Sequence, residues 1–385
     1  MASAARSGKD TEERLIEAAV RLFARKWYGT VSVAEICREA GLSNGIFYRY
    51  FENKETLFKR ILESVTVEIE AAVAAAGGGD PRSRLRAFVL ALVAFSEERK
   101  DLVSVYREGQ YRFFEYERRL VDIYLRGLSA ALGREAGLPE YLFALGGVRF
   151  CAIRRALHGT PADMDAIFSI LKEGIFPGEG FDADRVFGGT VTPLPIDMEE
   201  GARDHLLRAG KRLFGEKGFF ETNIHEITDA AGLSVGAFYT HFESKDAFYA
   251  ELIGLVGREV RGFIARNMGE GLTRLERELR GLWLFLVYLA IDRNCYNVVR
   301  EAEFVLPEAV REYYAAFVRG YRRNPEGNGP VAARGEAAEE TVIEFLLGIA
   351  HYFGIEVAFD RSPANARQAV EAIGRLLAGG FGAWL

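Results

Sequence analysis

A chain of 385 residues, 49% hydrophobic and 27% charged, has the composition of an ordinary globular protein of about two to four domains, able to bury its cores without disulfides or metals. Its three cysteines (Cys37, Cys151 and Cys295) form neither a CxxC pair nor a disulfide framework, and a net charge of −6 gives no general attraction for nucleic acid, so any such role must come from local features. The opening MASAARSGKDTEERL holds no apolar stretch and the most apolar run, Gly281–Ile291, is too short to span a bilayer, so the expectation is a reduced, cytoplasmic protein with no membrane segment.

The first periodic segment places Leu15, Ala19, Leu22 and Phe23 at i, i+4, i+7 and i+8, one face of a helix. A capping box, Ser32-Val-Ala-Glu35, opens a second helix whose buried face is Val33, Ile36, Cys37 and Ala40, and Gly41 ends it. Ser43 caps a short third helix, and Asn53 caps a fourth that runs to the neighbourhood of Ala76. After AAAGGGDP (Ala74–Pro81) comes a helical bundle rich in Phe and Tyr, among them Phe88, Tyr106 and Phe114. Residues 177–201, PGEGFDADRVFGGTVTPLPIDMEEG, are rich in Gly and Pro without helical periodicity and read as a linker.

Then the pattern returns. Leu206, Gly210, Leu213 and Phe214 repeat the first stripe; Asn223-Ile-His-Glu226 repeats the capping box; Gly232, Ser234 and Ser244 repeat the stop and the two caps. GLSNGIFYRYFENK (Gly41–Lys54) and GLSVGAFYTHFESK (Gly232–Lys245) agree at nine of fourteen positions, at an offset of 191. REGQYRFFEYERRLVDIYLRGL (Arg107–Leu128) faces REAEFVLPEAVREYYAAFVRGY (Arg300–Tyr321) at an offset of 193. The expected fold is all-α, two copies of one unit: heads at 9–62 and 202–253, bundles at 63–176 and 254–385, and the linker at 177–201.

Helix, glycine turn and short helix make a helix-turn-helix. Phe47 and Phe51 hold the short helix inward, and the opposite face carries Asn44, Gly45, Tyr48 and Arg49. Lys54, in the first turn of the fourth helix, is expected to hold a phosphate together with the exposed N–H groups there. Core and phosphate positions are shared between copies (Phe47/Phe238, Tyr48/Tyr239, Lys54/Lys245); the positions expected to face base edges change (Asn44/Val235, Ile46/Ala237, Arg49/Thr240, Tyr50/His241). Eleven Lys/Arg against eight Asp/Glu give residues 1–62 a charge of +3, and six against eight give residues 202–253 a charge of −2.

On the stretches Leu22–Phe58 and Leu213–Tyr249 the sequence resembles the tetracycline-repressor (TetR) family of bacterial transcription regulators. Members usually carry one such unit and pair as homodimers on a palindromic operator, with a small ligand in the C-terminal bundle. The resemblance implies that Ser43, Asn44, Gly45, Ile46, Tyr48, Arg49, Tyr50 and Lys54 face DNA in the first copy, and Ser234, Val235, Gly236, Ala237, Tyr239, Thr240, His241 and Lys245 in the second. This chain departs from the pattern by carrying two units, and by Trp27 where the family usually has the glycine that the second copy keeps as Gly218.

The reading that follows is a ligand-responsive DNA-binding regulator of the repressor type, a tandem fusion acting as a pseudo-dimer within one chain, with homodimerisation as the alternative. The competing reading is a helical small-molecule-binding or protein-interaction protein whose heads have lost DNA binding. A small apolar or aromatic effector is expected around Trp283, Tyr288, Tyr296 and Phe304, where large aromatics concentrate, while His351 reads as a core histidine. The polar stretch Arg322–Glu340 reads as a mobile loop between helices. Five scattered histidines without HExxH, and the lack of GxSxG and GxxxxGK[ST] motifs, give no metal site, no cofactor, no catalytic residue and no enzyme.

Overall fold

The computed structural model describes residues 2–193, 201–324, 326–359 and 366–382, and among these every regular element is helical. In chain order they are α1 (Ala2–Phe23), a 3-10 turn (Tyr28–Thr30), α2 (Val33–Glu39), α3 (Asn44–Phe47), α4 (Lys54–Ala75), α5 (Pro81–Glu98), α6 (Lys100–Arg112), α7 (Phe114–Leu132) and α8 (Leu138–Tyr141). A π-helical segment (Leu142–Gly146) then leads into α9 (Gly147–His158), followed by α10 (Met164–Glu173) and α11 (Ala183–Phe187). The second copy supplies α12 (Ala202–Lys217), α13 (Ile224–Ala231), α14 (Val235–His241), α15 (Lys245–Asn267), α16 (Arg274–Ile291), α17 (Arg293–Val305), α18 (Pro307–Arg322), α19 (Gly329–Ala332), α20 (Glu336–Phe359) and α21 (Ala366–Gly379).

The chain divides into two compact units: residues up to Gly137 with Val148–Thr160, and Leu138–Gly147 with the chain from Pro161 onward. In the first unit, α4 serves both head and bundle. Leu57, Phe58 and Ile61 are buried under the head, where Phe58 meets the rings of Phe23 (centroids 5.1 Å apart) and Tyr28 (4.7 Å), and Val65 and Ile69 are buried further along. Both capping boxes form, Ser32 with Glu35 and Asn223 with Glu226. Gly41 (φ 66°) ends α2 in a Schellman motif, with Leu42 N–H on Cys37 O (2.8 Å) and Gly41 N–H on Arg38 O (3.1 Å). Gly232 (φ 68°) repeats it with Leu233 N–H on Thr228 O (2.9 Å).

The second unit draws on both halves of the chain. It incorporates Leu138–Gly147 and residues 161–176, part of the stretch expected to form the first bundle. Phe143 packs between Phe345 and Phe381 at centroid distances of 5.6 and 5.5 Å. Ile175 and Phe176 donate to Leu377 O (2.8 and 2.9 Å), and Gly174 is at φ 82° with its Cα side so close to Leu377 O that a Cβ would sit 2.3 Å away. The expected linker is docked too: α11 lies in it, Asp182 N–H donates to Glu276 (3.0 Å), Arg280 Nη1 donates to Val186 O (2.9 Å) and Gly188 O (2.8 Å), and Thr192 exchanges hydrogen bonds with Asn267. Buried donors and acceptors on α15 and α16 capture this segment where composition alone suggested freedom; residues 194–200 of the expected linker lie outside the described residues. The same holds for the polar stretch near 322–340: α19 lies within it, and Asn328 is buried with bonds to Arg274 and Glu339.

Candidate nucleic-acid interface and ligand cavity

Each head presents the expected face. Phe47 and Phe238 are fully buried, while Ser43, Asn44, Gly45, Tyr48 and Arg49 are exposed, as are Ser234, Gly236, Tyr239, Thr240 and His241. Ile46, Tyr50, Val235 and Ala237 are half-buried at its edges. Tyr48 is 62% exposed and Tyr239 55%, each ring lying edge-on to the buried phenylalanine before it (5.3 and 5.4 Å). Phenol groups so aimed are free to donate to a phosphate. Glycine recurs between them without internal cause. A Cβ on Gly45 would meet nothing within 4 Å, and one on Gly236 only Ser234 Oγ at 3.7 Å, while neither residue has positive φ. Glycine in a helix costs about 1 kcal/mol relative to alanine. The space each glycine leaves therefore opens away from the rest of its head.

Lys54 and Lys245 are placed differently from the expectation. The Lys54 ammonium donates to Tyr28 O (2.7 Å) and Val31 O (2.6 Å) and lies 4.3 Å from the Tyr28 ring centre; Lys245 donates to Phe219 O (2.5 Å) and lies 4.1 Å over the Phe219 ring. These ammonium groups close the connection between the first two helices of each head, Lys54 through two of its three N–H donors and Lys245 through one. Burial pushes both below the usual lysine range, with Arg112 pushing Lys54 further down.

The same connection is gripped from the other side by a carboxylate. Glu108 of α6, 3% exposed, accepts from Tyr28 N–H at 2.9 and 3.2 Å; Glu301 of α17, 8% exposed, accepts from Phe219 N–H at 2.7 Å. Each copy thus has one joint: a bundle carboxylate on the N–H, a lysine of the long helix on the C=O of the same residue, and an aromatic ring beneath the ammonium. Sequence reasoning passed over Glu108 and Glu301, although the aligned REGQY and REAEF contain them. An acidic residue shared by both copies inside an apolar helix face was the available signal. Gly218 (φ 90°) lets the second joint close, since a Cβ there would lie 2.9 Å from Glu301 Oε1. Trp27, which stands in its place in the first copy, has φ −56° and leads into the 3-10 turn instead.

The second unit encloses a cavity of about 640 Å³, walled by α15, α16, α17, α18, α20 and Leu377 of α21. Of the four residues expected to hold a ligand, Tyr296 borders it, and Trp283, Tyr288 and Phe304 are not on its wall. Trp283 turns to the docked segment and meets Phe187 edge-on at 5.2 Å, and Tyr288 packs on Phe263 (5.2 Å) with its hydroxyl on Glu259 (3.1 Å). Phe304 is half-buried on α17 and absent from the cavity wall. On a helix bearing aromatics on nearly every face, composition could not say which face the cavity would take. His351, expected in the core, lies on the wall, with Nδ1 3.3 Å from Tyr314 OH. Among the described residues no group of three or more His, Cys, Asp or Glu could hold a metal ion, and no helix is long and apolar enough to cross a membrane.

The family model of bacterial regulatory proteins, tetR family, matches this chain twice, at residues 15–61 and 206–252. An uncharacterized HTH-type transcriptional regulator of Bacillus subtilis, YdgC, is 40% identical over 181 residues, which are 46% of this chain and 92% of that protein. A second from B. subtilis, YuxN, is 34% identical over 120 residues, 28% of this chain and 38% of that protein. The HTH-type transcriptional repressor KstR2 of Rhodococcus jostii is 36% identical over 83 residues, 21% of this chain and 37% of that protein. The chain thus spans little more than a third of the length of the last two.

Proposed function

Because the chain belongs to the tetR family of bacterial regulatory proteins and carries its reading domain twice, we propose that it is a cytoplasmic DNA-binding transcriptional regulator whose two unlike heads read one operator and whose second unit answers to a small-molecule effector. The observation that carries this reading is the duplicated exposed face, with Tyr48 and Tyr239 outward beside glycines that no internal contact requires. A repressor is the form favoured, as in the printed name of the Rhodococcus relative. The minimal DNA-reading unit is a single chain, a pseudo-dimer by internal repetition, and its preferred operator has unlike half-sites about one helical turn, roughly 34–36 Å, apart or a multiple of that.

A route from effector to head follows from two helices. Val256, Val260, Arg261 and Ile264 of α15 wall the cavity, and Lys245 at the start of that helix holds Phe219 O. Tyr296 and Val299 of α17 wall it too, and Glu301 on the same helix holds Phe219 N–H. An effector that binds one arrangement of α15 and α17 better than another shifts the joint at Phe219 and with it the second head.

Gel-shift titration over operator fragments selected from random DNA, repeated across salt concentrations, tests the proposal. The expected result is binding with a steep negative dependence on salt and one chain per asymmetric site in sedimentation. Absence of binding even at low salt would leave a helical ligand-binding protein; two chains on a perfect palindrome would overturn the single-chain reading.

A further inference from the structure

Arginines line the cavity of the second unit, and the surroundings of Arg261 leave part of its guanidinium unsatisfied. Arg261 of α15 lies on the wall, and its Nη1 is buried without a hydrogen-bond partner among the described residues. Its guanidinium lies 5.3 Å from the Phe317 ring centre, a contact that holds the plane but offers no acceptor. The neighbouring charges do not neutralise it. Arg258 and Arg319 stand near, pushing it down together with burial, and the nearby Glu312 is already held by Arg319 at 2.5 Å. Elsewhere on the wall, Glu278 is committed to Arg274 (2.9 Å) and Tyr321 OH (2.7 Å), and Glu303 accepts from Tyr314 OH (3.3 Å).

The seat is also shaped by the fold. Gly257, one turn before Arg261 on the same helix, leaves the space into which the guanidinium and the Tyr313 ring fit; a Cβ there would lie 2.9 Å from Arg261 Nη1 and 3.0 Å from Tyr313 Cδ2. The rest of the enclosure is largely hydrocarbon, with Leu282, Phe285, Leu289, Leu346, Leu347 and Ile349 on its wall. A volume of about 640 Å³ is within the range that encloses a small organic molecule.

We propose that the effector is an amphipathic organic acid, an apolar body ending in a single anionic group, and that Arg261 receives that group while the hydrocarbon wall takes the body. This rests on the effector reading above and sharpens it from an apolar or aromatic molecule to an acid. A half-buried guanidinium whose buried Nη1 has no acceptor gains a short charge-assisted bond from a carboxylate or sulfonate, and gains nothing comparable from a neutral molecule of the same shape.

Two dyes separate the claims: 1-anilinonaphthalene-8-sulfonate, an aromatic body with one anionic group, and N-phenyl-1-naphthylamine, the same body without it. Fluorescence titration of the full chain is expected to show that Arg261→Gln weakens the sulfonate about tenfold or more, the scale of one lost hydrogen bond to a charged group, and shifts the neutral dye less than about threefold. Arg261→Lys is expected to retain most of the sulfonate affinity. Gly257→Ala, which leaves the charge but fills its seat, is expected to reproduce the selective loss, so the claim does not depend on one variant's folding. Ala350→Trp, which fills the cavity, is expected to weaken both dyes. If Ala350→Trp weakens both while Arg261→Gln and Gly257→Ala leave the two dyes affected alike, the acid-binding role is overturned and the cavity stands. If Ala350→Trp spares both dyes, the cavity reading itself fails.

Discussion

The two heads are built on one scaffold and diverge in instructive places. In the first, the connection after α1 runs through Trp27 at negative φ into a 3-10 turn; in the second it runs through Gly218 at φ 90°. The first reading helix is four residues long and Ser43 makes no side-chain cap; the second is seven residues long and Ser234 caps it. Beneath them, Tyr28 against Phe58 in the first head becomes Phe219 against Tyr249 in the second, so the phenol has changed sides of the same ring pair. Tyr249 uses its hydroxyl to donate to Val298 O at 2.7 Å. What both heads keep is the joint: a carboxylate and a lysine on opposite polar groups of one residue. Identity between the copies therefore marks internal constraint as readily as contact with DNA.

That distinction bears most heavily on affinity. With +3 on residues 1–62 and −2 on residues 202–253, the first head gains from phosphate and the second is opposed by it. Arg49 is exposed on the first face, whereas its counterpart Thr240 spends its hydroxyl on Gly236 O at 3.0 Å. Tyr48→Ala with Arg49→Ala is expected to lower operator affinity by tens- to hundreds-fold, since one good bidentate base contact is worth about 1–3 kcal/mol. Tyr239→Ala with Thr240→Ala should cost less. A larger loss from the second pair, measured by shift assay at matched salt, would reverse the ranking.

The joint itself should behave alike in both copies. Glu108→Ala leaves Tyr28 N–H buried without its acceptor, and Glu301→Ala does the same to Phe219 N–H, at about 1–3 kcal/mol each. Gln in either place keeps an acceptor and should cost less. Urea unfolding combined with amide exchange at Tyr28 and Phe219 reads this: each Ala variant is expected to speed exchange in its own head. Fast exchange in one head with no change in the other would mean that the joints are not equivalent despite their matching geometry.

The all-helical class, the two heads and the cap positions were legible because they rest on local rules: a 3.6-residue stripe, Ser or Asn three residues before Glu, a glycine where the chain turns left-handed. Exposure of Tyr48, Arg49, Tyr239 and Thr240 followed from the burial of Phe47 and Phe238 on the other side of a short helix. What escaped depends on contacts between distant segments. Lys54 sits where a helix N-terminus suggests phosphate, but the carbonyls of Tyr28 and Val31, 26 and 23 residues away, reach it first. The capture of residues 177–193 by Glu276, Arg280 and Asn267 spans more than 70 residues, and no window along the chain contains both partners. The cavity wall was half legible, in its helices but not in their orientation.

The smallest expected effect concerns the two reading helices. In the second head, Ser234 Oγ accepts from Ala237 N–H at 3.2 Å, satisfying one of the donors that a helix start leaves open. Phe242 N–H closes its last turn on Phe238 O at 2.9 Å, as Phe51 N–H does on Phe47 O at 3.0 Å in the first head. In the first head Ser43 makes no such bond, and Arg49 N–H and Tyr50 N–H fall back on carbonyls three residues away, Ile46 O (3.1 Å) and Phe47 O (3.0 Å). The first reading helix therefore differs in its uncapped start and its shorter run, while Phe47 and Phe238 are buried alike. Ser234→Ala is expected to cost about 0.5–2 kcal/mol, the usual worth of a helix cap, and Ser43→Ala close to nothing. Amide exchange at Ala237 and Ile46 in the free protein measures both: the expected outcome is acceleration at Ala237 in Ser234→Ala and no change at Ile46 in Ser43→Ala. On operator DNA the order should invert. The looser first helix gains its order from the duplex, so its protection should rise more on binding than that of the capped second helix. Equal gains in the two heads would mean that the missing cap has no consequence for reading.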